Sequence, residues 1–162
     1  MRIIHTSDWH LGRSLCGASL LPSQAVFLDW LVALATAEQV DAVLVSGDIY
    51  DRALPSPETV ALLSESLSRL VQTGAKVIVI SGNHDSAVRL GFGAPLLAMA
   101  GLHVVTDLRA LGQSIAVADG HVYPLPYLEP ALVAEAVEAP ARTHAAVVTA
   151  ALARVRLSLI HI

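Results

Sequence analysis

The chain has 162 residues, 54% of them hydrophobic and only 15% charged, with a formal net charge of −4. That is the length of one domain with a real core, and the composition excludes a disordered chain. The acidic balance excludes a protein that grips nucleic acid mainly by neutralising phosphates. If it acts on nucleic acid, bound metal must offset the local negative charge, or another region or a partner must supply the grip.

The N-terminus enters a strand pattern at once, Arg2-Ile3-Ile4-His5, with no basic segment and cleavage site ahead of it. With no apolar run of the roughly 18 residues a membrane span needs, a cytoplasmic protein with no membrane partner is expected. The first strand is placed at Ile3 to Thr6. The single cysteine, Cys16, reads as a small apolar filler in a reducing compartment. A helix is predicted over Pro22 to Gln39, with Val26, Phe27, Trp30, Leu31 and Leu34 on its apolar face. Ala42 to Ser46 is a continuously apolar strand, buried on both sides.

A second helix opens with Ser56 as N-cap, Pro57 at its first position and Glu58 in its first turn. Its apolar face is Leu62, Leu63, Leu67, Leu70 and Val71, and Gly74 ends it. Lys76 to Ile80 is the next buried strand. This βαβαβ rhythm predicts an α/β fold with parallel strands and right-handed crossovers. Beyond it, the pattern gives a short helix over Pro95 to Ala100, a strand at His103 to Thr106, and a hairpin turning at Asp119-Gly120. A proline-marked irregular segment follows, then Ala-rich helices at Ala131 to Val137 and Thr143 to Val155.

Three motifs carry the chemistry: Asp8-Trp9-His10, Gly47-Asp48 and Gly82-Asn83-His84-Asp85. Each follows a strand, and open α/β sheets collect ligands at the carboxyl ends of their strands. Asp8 and His10, two apart on an extended backbone, would face one way and suit one ion. Asp48 can bridge two ions, because a carboxylate has two oxygens. Asn83 offers an amide oxygen. Carboxylate, imidazole and amide ligands suit Mn²⁺, Fe or Zn²⁺. Two such ions, roughly 3.5–4 Å apart, polarise a phosphate and activate water.

His84 is the candidate to stabilise developing charge or protonate a leaving oxygen. Asp85 is expected to hydrogen-bond His84 and fix its tautomer. His5 reads as a packing residue, Trp9 and Tyr50 as packing around the site, and Arg52 as a phosphate contact or a solvated loop residue. Alone, Asp-x-His occurs by chance and Gly-Asp is usually a turn. The signal is all three motifs in this order, each behind a strand.

At these motifs the chain resembles the calcineurin-like metallophosphoesterases. Within them it looks like the DNA-repair nuclease branch of SbcD-type exonuclease subunits, through HTSDWHLGR (His5 to Arg13), SGDIYDRALPSPE (Ser46 to Glu58), SGNHDSAVRLGFGAP (Ser81 to Pro95) and YPLPYLEP (Tyr123 to Pro130). The resemblance implies a four-layer αββα sandwich, here its N-terminal part only, with Asp8, His10 and Asp48 on one ion, Asp48 and Asn83 on the second, and His84 catalytic. It implies two divalent ions, Mn²⁺ foremost, and cleavage of double-stranded DNA at breaks and hairpins. It also implies homodimerisation within a heterotetramer formed with an SbcC-type coiled-coil ATPase. A phosphoesterase on small nucleotides or phosphoproteins is the alternative, and a catalytically inactive fragment a further one.

The family's two later His-bearing motifs find no match. His103, His121 and His144 lack the context and read as surface or half-buried residues. Residues 1–156 are therefore expected to form an incomplete metallophosphoesterase domain, binding at most one ion weakly. Residues 157–162 (Leu-Ser-Leu-Ile-His-Ile) are the peptide that CTG TCT CTT ATA CAC ATC would encode, a string that resembles a transposon end used in sequencing libraries. They are read as a non-native, adapter-encoded tail, and His161 within it is set aside.

Overall fold

The computed structural model describes residues 1–159. In chain order the elements are β1 (Ile3–Thr6), β2 (Ser14–Leu15), β3 (Ala18–Ser19), α1 (Leu21–Ala37), β4 (Ala42–Ser46), α2 (Pro57–Gln72) and β5 (Lys76–Ile80), followed by α3 (Ala87–Leu90), α4 (Ala94–Ala98), β6 (Leu102–Val105), β7 (Ile115–Val117), β8 (Gly120–Val122), α5 (Pro130–Val133) and α6 (His144–Leu159). Helix α6 continues past Arg156, the expected end of the domain, while His161 lies outside the described residues. No helix among the described residues is long and apolar enough to cross a membrane.

Four strands form one parallel sheet in the order β1-β4-β5-β6. The register aligns Thr6, Val45, Val79 and Val104 across it, so β1, β4 and β5 release their loops at one edge. Alternation splits the sheet into two faces. Val43, Val45, Val77 and Val79 face one way and pack with Leu28 and Leu31 of α1 and Leu63, Leu67 and Leu70 of α2 into the main core. Ala42 and Ile78 face the other way, under Val117 of the β7–β8 hairpin. The fold is thus α/β, with helices on one face. Among the described residues, that hairpin is what lies on the other face, where the four-layer expectation places a second sheet.

Helix α2 follows its sequence signals: the Ser56 side chain accepts from the Thr59 N–H, and Pro57 and Glu58 occupy the first turn. Helix α1 differs from expectation. Leu28, Leu31 and Ala35 are its buried stripe, while Val26 and Trp30 stand 68% and 56% exposed. Apolar residues surround this helix, so periodicity poorly defines its inner face.

Three smaller expectations also shift. The β7–β8 turn is Ala118-Asp119, with Gly120 already paired to Val117. Cys16 is an exposed residue at the tip of the β2–β3 hairpin, where it and Gly17 both take positive φ, 51° and 81°, as a two-residue turn requires. His5 is exposed rather than packed, hydrogen-bonded through Nε2 to Ser46 Oγ across the β1–β4 pair at 2.8 Å.

Leu70 is fully buried where α2 meets the sheet. Leu70→Ala is expected to lower the unfolding free energy by about 2–5 kcal/mol, read as a shift of the urea midpoint at constant slope.

Candidate metal centre

The loops after β1 and β4 run side by side. Beyond the last ladder pair, the N–H of Asp8 donates to the Gly47 carbonyl (3.2 Å), that of His10 to the Asp48 carbonyl (2.9 Å) and that of Leu11 to the Ile49 carbonyl (2.9 Å). The pairing continues out of the sheet, but the backbone is not extended. Asp8, His10 and Asp48 have φ of 56°, 43° and 44°. Positive φ in non-glycine residues costs energy and collects at functional sites. It also removes the alternation that would point Asp8 and His10 the same way.

The third loop is locked to the second by two carboxylates working in opposite directions. Asp48 Oδ1 accepts the N–H of His84 at 3.0 Å. Asp85 in turn accepts the N–H groups of Ile49 (3.1 Å), Tyr50 (2.9 Å) and its own loop's Gly82 (2.8 Å). Asp85 therefore braces the two loops; the expectation that it orients His84 does not hold. The carbonyl of Asp51 does that, accepting from His84 Nδ1–H at 2.9 Å.

Because a carbonyl only accepts, the proton sits on Nδ1 and Nε2 is free. The Asp51 carbonyl is the main cause that raises the His84 pKa, and the charges of Asp48 and Asp51 add to it.

Asp48 is 8% exposed, in the angle between these loops. Its position depends on Gly82, since a β-carbon there would overlap the Asp48 side chain and backbone nitrogen. Potential ligand atoms of His10, Asp48 and His84 lie within 4.8 Å of one another. His10 Nε2 stands 3.7 Å from Asp48 Oδ2, and the two imidazoles meet edge to face at 4.8 Å between centroids. Asp8, Asp48 and Asn83 also line one hollow of about 230 Å³, together with Tyr127. Asp48 thus borders both groups, as a bridging ligand must. His84 joins His10 and Asp48 in the tight cluster, and Asp8 stands outside it.

The donor set fits a hard or borderline divalent cation. One further observation supports this: His10 Nε2 and Asp48 Oδ2 face each other at 3.7 Å, too far apart for a hydrogen bond and close enough to share an ion. Residues 1–131 match the family model for calcineurin-like phosphoesterases. The chain belongs to the calcineurin-like phosphoesterase family.

Within this family, the chain is 36% identical over 128 residues to the SbcD component of the nuclease SbcCD from Staphylococcus saprophyticus, an alignment covering 78% of this chain and 34% of that protein. The chain spans about a third of the length of the curated relative it matches.

Two residues at this candidate site lie outside the three motifs. Gln24 of α1 accepts from the Gly12 N–H (3.0 Å) and donates to the carbonyls of Trp9 (3.0 Å) and His10 (2.8 Å), clamping the first motif from outside. Asp51 supplies the carbonyl under His84 and places a carboxylate oxygen 3.6 Å from His10 Nδ1. The only sequence signal for Asp51 was its place in the Gly-Asp-Ile-Tyr-Asp-Arg stretch. Trp9 and Tyr50 are buried packing residues, as expected, with Trp9 edge-on to Phe27. Arg52 is a solvated loop residue, its side chain 84% exposed. His103 is half-buried, and burial with nearby Lys76 lowers its pKa; His121 and His144 are exposed.

Gly82→Ala is expected to displace Asp48 and weaken divalent-metal binding by at least about tenfold in calorimetric titration, while overpacking costs about 1–3 kcal/mol of stability. Gly17→Ala is the control. Nothing lies within 4 Å of its new β-carbon, so only the φ of +81° is strained, at about 1–2 kcal/mol, with metal affinity unchanged.

Proposed function

We propose that this chain carries part of the active site of a metal-dependent DNA nuclease that hydrolyses phosphodiester bonds at duplex ends and hairpins. The observation that carries the reading is the grouping of His10, Asp48 and His84 around one point at the carboxyl edge of a parallel sheet. In this reading Asp8, His10 and Asp48 hold one ion, and Asp48 and Asn83 begin the site for a second. Bound there, divalent ions, Mn²⁺ foremost, supply Lewis-acid polarisation of the phosphate and lower the pKa of the attacking water.

The chain's own residues do the rest. Asp48 keeps its two groups of neighbours in fixed relation, because it is wedged against Gly82 and bonded to the His84 N–H. His84, with Nδ1 tied to the Asp51 carbonyl, presents Nε2 to the phosphate. Its raised pKa keeps a larger share of the ring protonated, the form that offsets developing charge or hands a proton to the leaving oxygen. A second assignment, His84 as an ion ligand beside His10 and Asp48, is favoured by its place within the 4.8 Å cluster.

The relative's name, which makes it part of the SbcCD nuclease, supports extending the proposal to an SbcC-type ATPase partner; a cytoplasmic setting is proposed with it. A homodimer belongs to the same reading, and Val88, Phe92, Leu96 and Met99, 74–87% exposed beyond the third motif, offer it an apolar surface.

The test is cleavage of end-labelled duplex DNA by the full-length gene product in Mn²⁺. Wild type should cut, Asp48→Asn should lose both metal and activity, and His84→Ala should bind Mn²⁺ normally while losing turnover by at least about a hundredfold. Loss of Mn²⁺ binding in His84→Ala would move His84 to the ligand set. Hydrolysis of mononucleotides or phosphopeptides, with duplex DNA left intact, would replace the nuclease reading with a small-substrate phosphoesterase.

A further inference from the structure

We propose that Asp51 is the positioning residue for His10, its carboxylate setting that ring just as its carbonyl holds the ring of His84. The proposal rests on the metal-centre reading above and adds a residue to it. The half concerning His84 is a formed hydrogen bond, Nδ1–H to the Asp51 carbonyl at 2.9 Å. The half concerning His10 follows from an orphaned atom. His10 Nδ1 is buried without a hydrogen-bond partner, and Asp51 Oδ1 stands 3.6 Å away.

At its other nitrogen the same ring faces Asp48 Oδ2 at 3.7 Å. A neutral imidazole carries one proton and one lone pair. To share an ion with Asp48, His10 must place the lone pair on Nε2 and the proton on Nδ1. Buried Nδ1–H then needs an acceptor, and Asp51 faces it. A closing movement of roughly half an ångström brings the pair to hydrogen-bond length. A carboxylate on the far N–H of a metal-binding imidazole fixes its tautomer and strengthens it as a ligand.

Asp51 is itself steadied. Arg13 Nη1 and Arg52 Nε each stand 3.9 Å from one of its carboxylate oxygens, and its N–H donates to the Leu11 carbonyl at 3.1 Å. It therefore joins the first loop, the second loop and the His84 ring at one residue. Since its two acceptors belong to different parts of the residue, they can be separated by mutation. Any substitution keeps the carbonyl under His84, and only the side chain facing His10 changes.

The experiment is ¹⁵N NMR of the ring nitrogens in the metal-free protein at pH 8, with calorimetric Mn²⁺ titration, on wild type, Asp51→Asn and Asp51→Ala. In wild type, both His10 and His84 should carry the proton on Nδ1. In Asp51→Ala, His10 should shift toward the Nε2–H tautomer while His84 keeps Nδ1–H, and Mn²⁺ affinity should fall about 10–100-fold. Asp51→Asn retains a side-chain oxygen acceptor, so it should keep the His10 tautomer and recover part of the affinity. Wild-type His10 protonated on Nε2, or an unchanged His10 tautomer in Asp51→Ala, overturns the role of Asp51. Absence of Mn²⁺ binding in wild type overturns the metal-centre reading instead, and the tautomer readout still decides the part played by Asp51.

Discussion

The carboxylate of Asp48 lies against the backbone of Gly82, in a space that any side chain at position 82 would fill. Around that contact the loops after β4 and β5 exchange hydrogen bonds in both directions, Asp48 taking the His84 N–H and Asp85 taking those of Ile49 and Tyr50. Each carboxylate therefore depends on the other loop for its partners. Moving either loop would strand charged acceptors and backbone donors at once, and bonds to charged groups are each worth about 1.5–3 kcal/mol. The rigidity that a metal site needs thus comes from the backbone, before any ion is considered.

That bracing opposes a real cost. Asp8, His10 and Asp48 are all held at left-handed φ, at about 1–2 kcal/mol each for a residue with a β-carbon. The backbone bonds from Asp8, His10 and Leu11 to the second loop, and the three bonds of Gln24, hold the first loop in that shape. The parallel sheet contributes the rest. With β1, β4 and β5 in register, three short loops open at one edge, and candidate ligands 40 residues apart in sequence (Asp8 and Asp48) border one hollow.

Strands β1, β4 and β5 were legible to the residue, because continuous runs such as Ala42 to Ser46 and Lys76 to Ile80 are bounded by polar and glycine residues. The N-terminus of α2 was equally plain from Ser56 and Pro57. The inner face of α1 was not, since apolar residues occur all round it. At the site, the identity of the motif residues was readable and their directions were not. Alternation fails where Asp8 and His10 leave the extended region. Adjacency in sequence pairs Asp85 with His84, yet its bonds to the second loop reach back 35 and 36 residues. Asp51 and Gln24 act over 33 and 14 residues, and no local pattern encodes such partners.

The protein is acidic overall, and the site concentrates Asp8, Asp48, Asp51 and Asp85 on adjoining loops. Such a cluster repels a phosphate diester unless cations stand between them. In the proposed reading, a metal ion is the first ligand of this edge, centred on Asp48. Anomalous diffraction from crystals soaked in Mn²⁺ tests this most directly. A Mn²⁺ peak is expected within coordinating distance of both an Asp48 carboxylate oxygen and His10 Nε2. Peaks confined to surface carboxylates, with the Asp48–His10 gap empty at saturating Mn²⁺, would contradict it.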